Sequence, residues 1–175
     1  MPPVSTREQA EQYLAQIFRT DREWRIHQFP NGWICRPVLT PEQITDGQGL
    51  GLTNLVIDSD TGVVIEYPSW STEMVAEDYT AAKQTGRPPT GGQIYPPRRR
   101  VNIHRTQEDS ETIQYLIRVD SLTEPPDPTE EFHLNINKNT LAYQPTDSTA
   151  ASAVAWAEWR SAQNGTWPEE GTFEE

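Results

Sequence analysis

Cysteine, histidine, positive charge and long apolar runs are all scarce in this chain, and each scarcity excludes something. One cysteine in 175 residues, Cys35, rules out an internal disulfide and predicts a reducing, cytoplasmic setting. No apolar run approaches the roughly 18 residues of a membrane span. The opening "MPPVSTREQ" also lacks the charged-then-apolar order of a signal peptide and leads almost directly into a helix signal, so no leader is expected. The three histidines, His27, His104 and His133, fall in predicted strands, and none is paired with Cys, Asp or Glu at ligand spacing. No metal and no cofactor are expected. Lys and Arg number 14 against 26 Asp and Glu, a formal charge of -12, which disfavours nucleic acid and anionic lipid as partners and favours a basic protein. The deficit is spread, with 7 basic and 12 acidic residues over 1–97 and 7 and 14 over 98–175, so neither half is a basic arm.

What is present argues for a folded, highly soluble α+β protein. Apolar residues make up 34%, with six Trp and six Tyr, enough for a core, while 15 Pro predict long polar connections. "STREQAEQYLAQIFR" places Ser5 three residues before Glu8, a reciprocal capping pattern, and predicts a helix over about 5–19. "EWRIHQF", "GWICRPVL" and "LVIDSDTGVVIEYPSW" then read as strands, separated by "PNG" and the polar run "TPEQITDGQGLG". Between the two arms of the last stretch, Asp58 can accept from turn amides, and Gly62 supplies the positive φ that pins the register. "SWSTEMVAEDYTAAK" predicts a second helix ending near Lys83, and the Pro- and Gly-dense residues 85–100 read as a linker or exposed crossing.

Beyond it the order recurs as "RVNIHRT", "IQYLIRV", "FHLNINKNTLAYQP" and "TDSTAASAVAWAEWRSAQNG", the last closed by Asn164-Gly165. The second hairpin overlays the first if its turn is shortened by two residues, so the second half is either a diverged copy sharing the sheet or an unrelated extension. Leu55–Ile57 and Val63–Ile65 are apolar at consecutive positions, which predicts a pair covered on both faces and interior to the sheet. Leu134 and Ile136 alternate with Asn135 and Asn137, which puts the second hairpin nearer an edge. The expected fold is α+β, a mainly antiparallel sheet with an N-terminal helix and a helix after each hairpin. Its expected domains are a module over 1–87, a Pro/Gly/Arg-rich linker at 88–100, a second β-β-α module at 101–167 and an acidic tail at 168–175.

Chemistry is thinly signalled. Cys35 has no evident base or oxyanion site beside it, although His27 could approach it across a hairpin, and that pair seeds an enzyme alternative. "GQGLG" at 47–51 lacks the strand-to-helix context and the Lys-Ser or Lys-Thr of a phosphate cradle. "PPRRR" at 96–100 is expected to pair with local carboxylates. Trp70, Trp156, Trp159 and Trp167 either pack helices on the sheet or centre an interface.

The first half resembles the YrhB-like immunity proteins, the immunity protein 35 family of bacterial polymorphic toxin systems. The resemblance rests on the N-terminal amphipathic helix, Gly32-Trp33 opening "GWICRPV", the "LVIDSDTG" strand and turn, and "MVAEDYTAAK" with Tyr79 four residues before Lys83. It covers about residues 5–85. It implies a small cytoplasmic α+β protein without enzymatic activity that blocks a cognate toxin in the producing cell, with no catalytic residues. On this reading the expected toxin-contact set is Asp58, Asp60, Glu66, Tyr67 and Trp70, the partner a toxin domain that the charge favours as basic, and the state a monomer or weak dimer. The competing readings are a small scaffold or chaperone-like binding protein and a Cys/His-dependent enzyme.

Overall fold

Two overlapping capping signals open the chain, Ser5 with Glu8 and Thr6 with Gln9, and the protein uses the second. In the computed structural model, which describes residues 4–19, 22–49 and 51–175, helix α1 spans Arg7–Phe18 with Thr6 as its N-cap. Gln9 N–H donates to Thr6 Oγ1, and Gln9 Oε1 accepts from the amides of both Thr6 and Ser5, satisfying three donors at the helix start. Residues 1–3, where the leader question lies, fall outside the described residues, as does Leu50 of "GQGLG". Among the described residues no helix is long and apolar enough to cross a membrane.

The chain divides into two compact units, Met1–Pro96 and Pro97–Glu175. In the first, strands β1 (Trp24–Phe29), β2 (Gly32–Pro37), β3 (Asn54–Asp58), β4 (Val64–Tyr67) and β5 (Gly92–Tyr95) form one antiparallel sheet in chain order. Side chains alternate across it. Trp24, Ile26, Trp33, Cys35, Leu55, Ile57 and Val64 pack on α1. Ile34, Val56, Ile65 and Tyr67 pack on α3 (Thr72–Thr85). The consecutive apolar residues of the first hairpin therefore feed two cores, and each fully buried Val or Ile contributes about 1.5–3 kcal/mol.

Two elements differ from the expectation for this unit. The run "TPEQITDGQGLG" contains a short helix, α2 (Pro41–Thr45), because Thr40 and Gln43 form a second capping box and Pro41 sits where its missing N–H costs nothing. The segment expected as linker contributes β5, which pairs with β4 at the sheet edge. Its prolines flank the strand instead of interrupting it, and an edge strand needs partners on one side only.

The second unit is a separate five-stranded antiparallel sheet in the order β10-β6-β7-β8-β9, so the two hairpins do not share a sheet. Its strands are β6 (Arg99–Glu108), β7 (Thr112–Ser121), β8 (Glu130–Asn137), β9 (Tyr143–Gln144) and β10 (Glu170–Glu174). Helix α4 (Ser148–Asn164) covers one face through Ala150, Ala153, Val154 and Ala157, packed on Val101, Ile103, Tyr115, Ile117, Leu134 and Ile136. The opposite face carries Asn102, His104, Arg118, Glu131, His133 and Asn135, the wet face that the alternation of β8 predicts. The expected acidic tail is instead strand β10. Gly171 and Phe173 face inward while Glu170, Thr172 and Glu174 face out, and Phe173 stacks on Trp156. The arginine cluster pairs with this strand and the residue after it, Arg99 to Glu175 at 2.7 Å and Arg100 to Glu174 at 2.8 Å.

The two hairpins share one turn. Asp58 Oδ1 accepts from the amides of Asp60 and Thr61, Gly62 N–H donates to Asp58 O and Asp58 N–H to Val63 O. Asn137 Oδ1 accepts from Asn139 and Thr140, Leu141 N–H donates to Asn137 O and Asn137 N–H to Ala142 O. Gly62 has φ 71° and Leu141 φ 58°, so the same left-handed position recurs. The turn thus keeps its length, and the two missing residues are lost from β9, which has two residues where β4 has four. Beyond the hairpin the units diverge. Helix α3 packs on the side of Val56, whereas α4 packs on the side of Leu134 and Ile136, which match Leu55 and Ile57 of the other face. The helix follows whichever face is apolar.

Candidate functional site

Helix α3 is built to bring polar side chains against the first hairpin. Ser71 caps it by accepting from Met74 N–H, Gly86 ends it, and its buried stripe of Val75, Tyr79 and Ala82 seats it on the sheet. The spacing of four places Tyr79 and Lys83 on one side, above the Asp58 turn. Tyr79 OH donates to Asp58 Oδ2 at 2.6 Å, Lys83 Nζ lies 2.6 Å from the same oxygen and 3.0 Å from Asp60 Oδ2, and Thr61 supplies its amide and hydroxyl to Asp58 Oδ1. Asp58 is 1% exposed, so it is a buried carboxylate with a full set of donors. Burial alone would raise its pKa. Lys83, Tyr79 and Thr61 outweigh that and hold it at about 2. Tyr79 is shifted the other way, its ionisation opposed by burial and by the Asp58 charge.

A second node lies on the same helix. Asp78 accepts from Tyr67 OH at 2.8 Å, from the amide and hydroxyl of Thr90 at 2.9 and 3.0 Å, and from Arg87 at 2.7 Å. Burial would raise this carboxyl too, yet the Thr90 amide, Arg87 and Tyr67 bring it to about 2. Together the nodes lock helix, turn and the segment after the helix into one rigid surface.

The five residues expected at the contact surface play different parts. Asp58 and Tyr67 are buried, and each holds a node. Asp60 stands exposed at the turn, tied to Lys83. Glu66 is exposed on the α1 side of the sheet, where its carboxylate accepts from Thr53 Oγ1 at 2.8 Å and lines a pocket of about 350 Å³ with Phe18, Trp24 and Ile94. Trp70 is half-buried on the α3 side, its ring 6.0 Å from that of Tyr67 and its carbonyl held by Asn54 Nδ2. The set therefore splits across both faces and both ends of the hairpin. Sequence reasoning missed Asp78, Arg87 and Thr90, whose link to Tyr67 joins segments that no local pattern connects. Exposed Ile44 also went unmarked, and Met74, which the helical spacing groups with Val75, Tyr79 and Ala82, stands exposed.

The Cys35–His27 pairing is not formed. In the β1–β2 register Cys35 faces Ile26 and His27 faces Ile34, so the two side chains lie on opposite faces of the sheet. Cys35 is fully buried, and burial, with Glu11 nearby, pushes its thiol up to about 12, which removes the thiolate a nucleophile needs. Of the four tryptophans set aside as helix packing or interface, Trp70, Trp156 and Trp167 pack against the cores while Trp159 is 55% exposed.

No curated protein and no solved structure matches the chain. A family match begins before α1 and ends just past α3, taking in both nodes except Thr90. The resemblance carried by Gly32-Trp33, the "LVIDSDTG" turn and the Tyr79–Lys83 helix therefore holds: residues 5–87 match the model of the immunity protein 35-like domain family.

Proposed function

We propose that the chain is an immunity protein of a polymorphic toxin system, which binds a cognate toxin domain inside the producing cell and neutralises it by occluding or distorting its active site. The observation that carries this reading is the family match over residues 5–87, which lies wholly within the first compact unit, Met1–Pro96. The rest is consistent with binding. The polar network is saturated by internal partners and serves rigidity, which lowers the ordering cost of association. The charge of -12 would accelerate encounter with a basic toxin. Inhibition then needs no chemistry from this chain, which acts as a monomer or weak dimer.

Within this reading Asp60, Glu66 and Trp70 are the members of the contact set placed to touch a partner, while Asp58 and Tyr67 hold them in position. Trp70 is the anchor, since a half-buried aromatic ring backed by Tyr67 offers area at little entropic cost. The test uses a candidate toxin domain from this gene's neighbourhood and calorimetry with the full chain. Glu66→Lys combined with Trp70→Ala is expected to weaken binding about 30-fold or more. Full affinity in that variant would remove this surface from the interface.

A further inference from the structure

Arg25 and Arg36 are direct cross-strand partners in the β1–β2 register, which sets two positive charges side by side. Like charges in that position destabilise a sheet. Neither is paired with a carboxylate among the described residues, although the chain carries 26 acidic side chains and most of its other cations are ion-paired. Both point to the face on which α3 packs, and both stand outside the cluster that α3 covers.

Beside them lies a pocket of about 250 Å³ whose apolar wall includes Val38, Leu39, Ile44 and Leu52. Ile44 is 60% exposed, and it is held there by design: the capping box of Thr40 and Gln43 fixes α2, and α2 presents Ile44. Exposed aliphatic side chains beside two unneutralised guanidinium groups make a cleft of mixed character. A basic segment is repelled by it and a purely apolar one leaves the arginines unused.

We infer that the cleft formed by Arg25 and Arg36 with Val38, Leu39, Ile44 and Leu52 docks an acidic segment of the toxin, with one aliphatic or aromatic side chain entering between Ile44 and Leu52 and a neighbouring Asp or Glu carboxylate bridging the two arginines. The occupant is identified by charge complementarity: a planar guanidinium pair binds carboxylate oxygens with defined geometry, and the bound carboxylate relieves the repulsion across the strands. This rests on the immunity reading only for the partner's identity. The overall acidic field draws in a basic toxin, and this local site selects the register in which it sits.

Two arms test the inference on the full chain. In the first, fluorescence anisotropy compares a labelled peptide of alternating Glu and Leu with its Lys and Leu counterpart at low salt. Tighter binding of the acidic peptide by a chain of charge -12, lost about tenfold in Arg25→Glu with Arg36→Glu and reduced in Ile44→Ser, supports the site. Equal binding of both peptides, no binding of either, or no change in the variants overturns it. In the second arm the same variants are titrated with a candidate toxin domain from the gene's neighbourhood. Wild-type affinity that survives the double reversal overturns the site and leaves the immunity reading standing. Failure of the unaltered chain to bind that toxin overturns the immunity reading, and the peptide arm then decides the cleft alone. Far-ultraviolet circular dichroism confirms that the variants are folded, and Arg25→Gln with Arg36→Gln provides a second, milder pair in which the loss should be smaller but still present.

Discussion

Gly32→Ala is expected to unfold the first unit. Gly32 begins β2 opposite Asp58, with φ 149°, and a Cβ there would stand 2.0 Å from Ile57 O and 2.9 Å from Ser59 N. Both obstacles are backbone atoms of the central strand and its turn, so no rotamer change relieves the clash. The neighbouring Trp33 is buried and donates from Nε1 to Val4 O, and Ser59 N–H donates to Asn31 O, so the shift would propagate into the start of the chain and the Asp58 turn. Steric conflict added to an unfavourable backbone region should cost about 4 kcal/mol or more, the upper end of single-substitution effects. Thermal unfolding followed by tryptophan fluorescence checks it, because Trp24 and Trp33 are buried in this unit. A Tm within about 2 °C of the parent would contradict the geometry.

The second large effect concerns Asp58, and the other hairpin shows how to dissect it. Asn137 builds the same turn with an amide oxygen, so Asp58→Asn keeps the acceptor for Asp60 and Thr61 while removing the charge facing Lys83. Asp58→Ala removes both. The alanine variant should lose about 3–5 kcal/mol, since it strands the buried Tyr79 hydroxyl and the Lys83 ammonium together. The asparagine variant should lose about 2 kcal/mol, and the difference measures the turn together with the partner of the Tyr79 hydroxyl. Acid sensitivity follows from the same residues. Asp58 and Asp78 each fall from an ordinary 3.8 to about 2 in the folded protein. Their contribution is present in full above about pH 4 and is lost as pH falls through about 2, by roughly 2 kcal/mol per carboxyl. Denaturant melts between pH 5 and 2 should show the parent weakening steeply and Asp58→Asn weakening less. Parallel curves would show that Asp58 is not the acid-sensitive group.

Much of this was legible in the sequence because it is local. The consecutive apolar residues of "LVI" and "VVI" announced a hairpin covered on both faces, Gly62 announced its turn, and Asn164-Gly165 the end of α4. The arginine cluster was expected to find local carboxylates and found Glu174 and Glu175, distant in sequence but adjacent across a strand. Pairing between distant segments was not legible. β10 pairs with β6, some 70 residues earlier, and the alternation in "EGTFE" that marks it is masked by its acidic residues. β5 hides between proline pairs for a similar reason. Whether two hairpins share a sheet depends on which edges they meet, and that information lies in contacts and not in periodicity. At the candidate site the sequence marked Asp58 as the turn acceptor and the Tyr79–Lys83 spacing as a mark of the resemblance, but not that the three meet; the separation of Glu66 from Trp70 by a sheet face needed the register of β3 against β4.

The central claim, that this chain neutralises a toxin by binding it, is tested most directly by survival. A bacterial host carrying a candidate toxin domain from this gene's neighbourhood under inducible control should cease growth on induction, and coproduction of the full chain should restore growth. Restoration that is lost with Glu66→Lys and Trp70→Ala, at unchanged protein level, is the predicted result. Growth arrest that the unaltered, well-produced chain fails to relieve would contradict the account.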